Sequence, residues 1–151
     1  YNNFKKGEIV VSLAGVTMNL ILAVVGAMIL YTMLAVNGYK MMTDSVLSTI
    51  AIILYYFVGL NCGLIVFNLI PIPPLDGSRI VGLLIPNKIY YQIMKYERYI
   101  IIVVFVLLAL GWLSTPLSWL TDKVLYGISW LVSKPFGEYG DMFMQIVLSA
   151  M

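Results

Sequence analysis

Histidine is absent from this sequence of 151 residues, and cysteine occurs once, at Cys62. Because histidine is the commonest metal ligand in proteins, its absence limits any metal site that the chain could form alone. A single cysteine excludes an intrachain disulfide. Since Cys62 lies inside an apolar stretch, we interpret it as a buried packing residue rather than a reactive thiol.

Charge is also scarce. Only 11% of the residues are charged and 62% are hydrophobic, whereas soluble domains carry about 25% charged residues. A chain this apolar has too few charged residues to form a water-exposed surface. The composition therefore predicts an integral membrane protein, with the lipid bilayer as its partner. The formal charge of +2, without a dense basic run, gives no indication of nucleic acid binding.

Uncharged runs at residues 9–36 and 46–70 are long enough to cross a hydrocarbon core of about 30 Å as helices. A shorter run at 99–113 would need tilting or bilayer thinning to span. Helices are favoured because lipid offers no partner to backbone amides. We therefore predict an all-α polytopic protein with three transmembrane helices, forming a single membrane domain over residues 1–151.

Basic residues predict the orientation of these spans. The long loop at 71–98 contains four of them and the N-terminal flank two, while the first loop contains only Lys40. The positive-inside rule then places the flank and the long loop on the cytoplasmic side. The chain begins with Tyr1 rather than Met, and we expect it to be the C-terminal part of a longer protein.

A stripe of apolar residues at three- and four-residue spacing occupies 116–132. Its members are Leu117, Leu120, Val124, Ile128 and Leu131. Together with tryptophan and tyrosine side chains, which favour the headgroup region, the stripe predicts an amphipathic helix lying at the membrane interface. A fourth span is the less favoured alternative, and the sequence indicates no role for the tail at 133–151.

The second span ends in a proline-rich segment, FNLIPIPPLDG. Pro71, Pro73 and Pro74 cannot continue a helix, so the backbone must become extended. Such backbone is tolerated at membrane depth only where protein or a water-filled cavity satisfies its polar groups. Asn68 before the prolines and Asp76 after them place polar side chains at this break. Transporters use the same device, so the physics predicts a site without specifying a reaction.

The run from Asn68 to Gly77 resembles the N-x-x-P-x-P-P-L-D-G signature of the site-2 protease family of intramembrane zinc metalloproteases, and it matches every fixed position. A second segment, SLAGVTMNL, is similar to the A-G-P-x-x-N helix of that family, with Val16 in place of the proline. In that segment we interpret Gly15 and Asn19 as helix-packing residues.

The resemblance implies specific roles. It makes Asp76 the third protein ligand of a catalytic zinc ion and places Asn68 near the metal, where its amide could orient a substrate or an oxyanion. The prolines would form an extended edge along which an unwound substrate lies. The family takes its other ligands and its general base from a His-Glu-x-x-His helix, which this sequence lacks. We expect those residues to come from a missing N-terminal part of the same protein.

We therefore expect the chain to be part of a zinc metalloprotease of a prokaryotic cell membrane. The whole enzyme would cleave transmembrane protein substrates near the cytoplasmic face. The alternative is a non-catalytic membrane protein, a pseudoprotease or a transporter-like binder, with the unwound segment as its ligand site. For Asp76 alone, the alternative is a simple Asp-Gly turn. Arg79 could also pair with Asp76, although we favour Arg79 as a surface anchor of the next helix.

Overall fold

The computed structural model describes residues 2–38, 40–73, 75–82, 85–138, 140–141 and 145. Within those ranges every regular element is a helix and no strand occurs, so the predicted all-α class is confirmed. The elements are α1 (Asn2–Asn37), α2 (Lys40–Thr43), α3 (Ser45–Leu69), α4 (Asp76–Val81), α5 (Asn87–Lys95), α6 (Glu97–Ala109), α7 (Ser114–Ser133) and a 3₁₀ helix (Lys134–Phe136).

Two helices are long and apolar enough to cross a membrane: the Val10–Asn37 part of α1, and α3. They agree with the first two predicted spans to within one residue. α6 has 13 residues, which rise about 20 Å and fall short of the hydrocarbon core. α6 would give a third span only if it were counted as one unit with α7 and the 3₁₀ helix. The two parts of that unit are bent by 84° relative to each other. The arrangement of three spans and one interfacial helix therefore remains a prediction.

α1 and α3 pack closely through small residues. A Cβ atom added to Gly26 of α1 would lie only 3.0 Å from Phe57 Cδ1 and from Val58 Cγ2 of α3. Buried Ala23, Ala27 and Cys62 belong to the same core. Helices in lipid associate largely through such close van der Waals packing, which small residues permit.

α7 packs against both α1 and α3. Leu125, Ile128 and Val132 of α7 are buried in the shared core, and the buried hydroxyl of Tyr31 in α1 donates a hydrogen bond to the carbonyl oxygen of Ser129, at 3.4 Å. Of the residues in the predicted apolar stripe, Ile128 is buried in this core, whereas Leu120 and Leu131 are exposed, so the interfacial amphipathic helix remains a prediction. The packed face of α7 is set by the two helices beside it, which the spacing of apolar residues does not reveal.

The segment predicted as a long loop, 71–98, contains two short helices, α4 and α5, and the start of α6. α4 contacts both α1 and α3, and this places the motif residues against the transmembrane pair. α6 differs from α3, because none of its residues is buried.

Candidate metal-ligand site

The helical part of the motif ends at Leu69, and the backbone of Ile70 is extended, with φ −62° and ψ 128°. Tight turns follow. The amide of Ile72 donates to the carbonyl of Ile70, at 2.8 Å, and the amide of Leu75 donates to the carbonyl of Ile72, at 2.8 Å. Pro73 is the second residue of the latter turn, where its fixed φ is favourable. The chain thus reverses within a few residues before α4 begins.

These turns correct the expected geometry of the prolines. The segment is extended at Ile70 and again at Leu75, whose ψ is 151°, but hydrogen-bonded turns lie between them, so no continuous extended edge forms. Pro71 is exposed and Pro73 is buried, while Pro74 lies outside the described residues. An exposed ring at Pro71 is available for substrate contact, whereas the burial of Pro73 favours a packing role.

Asp76 is the first residue of α4 and is partly buried. The hydroxyl of Ser12, in α1, donates a hydrogen bond to Asp76 Oδ1 at 3.1 Å. The other carboxylate oxygen, Oδ2, lies 3.9 Å from the place where a Cβ atom on Gly15 would stand. The two segments that resemble the site-2 protease family are therefore in contact, although 64 residues separate Ser12 from Asp76.

Gly77 explains how α4 can begin directly beside the end of α3. A Cβ atom at this position would overlap the carbonyl oxygen of Leu69 and would stand 2.5 Å from the carbonyl oxygen of Ile70. Because the obstacle is backbone, a neighbouring side chain cannot rotate to relieve it. Only glycine fits here. Sequence reasoning did not single out this role, and the glycine that follows Asp76 in the motif was the signal for it.

The remaining candidate residues surround this point. Asn68 lies in the last turn of α3 and is partly buried, but in the described part of the chain no hydrogen bond joins its amide to the Asp76 carboxylate. Asn19, also partly buried, follows Gly15 by four residues and so shares its face of α1. Arg79 is exposed near the end of α4. The roles predicted for Asn19 and Gly15 in helix packing remain predictions.

The described residues alone do not complete a zinc site. No group of three or more histidine, cysteine, aspartate or glutamate residues that could hold a metal ion occurs among the described residues, and the sequence contains no histidine. Catalytic zinc sites use about three protein ligands and leave a position open. Asp76, with Oδ1 engaged by Ser12, fits one ligand position of such a site and no more.

An apolar cavity of about 270 Å³ separates the motif from α6. On the motif side its walls are Phe67, Ile72, Pro73 and Leu75, and on the α6 side they are Ile101, Val104, Phe105 and Leu108. Leu75, one of its lining residues, immediately precedes Asp76 in the chain. Its lining could accept an apolar side chain.

Comparison with known families identifies the family of this chain. The model of "Peptidase family M50" matches residues 32–111, which include the whole motif. The chain belongs to peptidase family M50. This confirms the resemblance to site-2 proteases.

A curated relative agrees with this assignment. The "Putative zinc metalloprotease YwhC" of Bacillus subtilis (strain 168) is 39% identical over 108 residues, which cover 69% of this chain and 48% of the relative. This M50 chain therefore spans about half the length of the curated relative that it matches. No solved structure matches the chain.

Proposed function

We propose that this M50 chain is part of a zinc-dependent intramembrane endopeptidase and that Asp76 supplies the third protein ligand of its zinc ion. The observation that carries the proposal is the Asp76 carboxylate, held by Ser12 of α1 at the break after α3. The remaining ligands would be histidines from outside these residues. When bound, zinc would lower the pKa of its water to about 7 and so supply a nucleophile.

The chain's own residues would bind and orient the substrate. The Asn68 amide, in the last turn of α3, has donors and an acceptor that could hydrogen-bond an unwound substrate backbone or a developing oxyanion. The exposed ring of Pro71 would contact the same segment. The apolar cavity beside Leu75 would accept a side chain of the kind that transmembrane substrates present.

The position of the site predicts where cleavage occurs. Asp76 follows the end of α3, and the basic residues of the segment that comes after it favour the cytoplasmic side. We therefore propose a site near the cytoplasmic face of a prokaryotic cell membrane, acting on transmembrane proteins. A site near the membrane surface suits hydrolysis of a peptide bond, because water must reach the zinc ion.

Cleavage of a transmembrane substrate by the full-length protein tests the proposal. Asp76→Ala should reduce cleavage to background while the protein still inserts into the membrane, because the metal loses a ligand. Asp122→Ala is the matched control, since Asp122 is also a partly buried carboxylate but lies on α7; it should cleave at close to the wild-type rate.

Two results would count against this function. Wild-type cleavage by Asp76→Ala would remove Asp76 from the mechanism. A wild-type protein that binds zinc and cleaves none of a panel of transmembrane substrates would favour the pseudoprotease alternative.

A further inference from the structure

Ser12 uses its hydroxyl differently from its neighbours on α1. Thr17 donates to the carbonyl of Leu13, and Thr32 donates to the carbonyl of Met28, each at 2.7 Å and each within the helix. That bond to the preceding turn is the usual one for a hydroxyl inside an apolar helix. Ser12 instead donates across to Asp76 Oδ1, and its side chain is only 2% exposed. The hydroxyl therefore serves the contact between α1 and α4.

This hydrogen bond also makes the two oxygens of Asp76 unequal. Oδ1 accepts a hydrogen bond from Ser12, whereas Oδ2 lies near Gly15. A Cβ atom built on Gly15 would stand 3.9 Å from Oδ2. Because glycine has no side chain, α1 places no side-chain atom against Oδ2 at position 15. A carboxylate that is held through one oxygen can still bind a metal ion through the other.

We propose that Ser12 is a positioning residue, which fixes the rotation of the Asp76 carboxylate so that Oδ2 is presented as the zinc ligand. The inference rests on the proposed function, since it presumes that Asp76 binds zinc. Hydrogen-bonding partners of metal ligands orient them, and their loss typically weakens metal affinity by about 10- to 100-fold. Gly15 is the second part of the arrangement, because it keeps the space beside Oδ2 free.

Zinc affinity of the full-length protein, measured by competition with a chromogenic chelator, provides the test. Ser12→Ala should weaken zinc binding by about 10- to 100-fold with little change in thermal unfolding of the metal-free protein. Thr17→Val is the matched control: it also removes a hydroxyl from α1, but one that bonds only to its own helix. Its zinc affinity should equal that of the wild type.

A second variant keeps the inference falsifiable if Ser12→Ala folds poorly. Gly15→Leu places a side chain beside Oδ2 on an exposed position of α1, and it should weaken zinc binding although Ser12 is intact. Wild-type affinity in both variants would overturn the inference, and so would an equal loss in Ser12→Ala and Thr17→Val.

Asp76→Ala, measured in the same way, separates this inference from the proposed function. If Asp76→Ala loses zinc while Ser12→Ala and Gly15→Leu do not, only the positioning role fails. If Asp76→Ala retains zinc, the proposed function fails, and the role of Ser12 fails with it.

Discussion

α3 and α6 are both strongly apolar, yet they pack very differently. α3 buries Val58, Cys62 and Ile65 among its residues, whereas α6 buries none. One difference between the two helices is residue size. α1 and α3 bring glycine, alanine and cysteine to their contact, while α6 consists mainly of large aliphatic side chains and has a single alanine, at its end. In lipid, small residues permit the close van der Waals packing through which apolar helices associate, because apolarity alone provides no driving force.

Two isoleucines test the contrast between the packed core and α6 with the largest expected effect. Ile128 of α7 is 6% exposed and Ile102 of α6 is 56% exposed. Ile128→Ala should lower the free energy of unfolding by about 2–5 kcal/mol, the range for buried aliphatic truncations. Ile102→Ala should change it by less than about 0.5 kcal/mol. Thermal or denaturant unfolding in detergent would measure both, and equal losses would break the contrast between the core and α6.

Gly77→Ala tests the tightest contact at the site. The added Cβ atom would meet the backbone of Leu69 and Ile70, so the start of α4 must move and take Asp76 with it. A shift of about 1 Å can cost about 100-fold in catalysis, and we expect a loss of that size in a cleavage assay. Gly127→Ala, on α7 in open space, is the control and should retain cleavage. An active Gly77→Ala would mean that the position of α4 does not matter.

Gly26→Ala probes the α1–α3 contact with the smallest expected effect. Its Cβ atom would stand 3.0 Å from side-chain atoms of Phe57 and Val58, which can shift slightly, so a destabilisation of about 1 kcal/mol is expected. Gly59→Ala, where no atom lies within 4 Å, should leave stability unchanged or raise it slightly. Thermal unfolding would compare the two, and a stabilised Gly26→Ala would contradict close packing at that point.

Much of the fold could be predicted from the sequence. Uncharged runs predicted the Val10–Asn37 part of α1 and the whole of α3 to within one residue, because continuous apolarity in lipid selects helices. The packed face of α7 could not be predicted. Leu120 and Leu131 are as apolar as the buried Leu125 and Val132, and in a chain that is apolar on most faces the spacing does not distinguish contact with protein from contact with lipid.

The candidate site was predicted unevenly. The motif predicted metal-site roles for Asp76 and Asn68, which remain predictions, whereas the helix break that the prolines predicted is present after Leu69. The turns at Ile72–Leu75 were not predicted, because proline excludes a helix without specifying the structure that replaces it. The hydrogen bond from Ser12 to Asp76 joins residues far apart in sequence, and local periodicity carries no information about such a pair.

The metal content of the full-length protein tests the central claim most directly. Purified in detergent without chelators and analysed by mass spectrometry, the wild-type protein should contain about one zinc ion per chain, and Asp76→Ala should contain almost none. Equal zinc in the two proteins would contradict the account, because the Asp76 carboxylate at the start of α4 would then hold no metal.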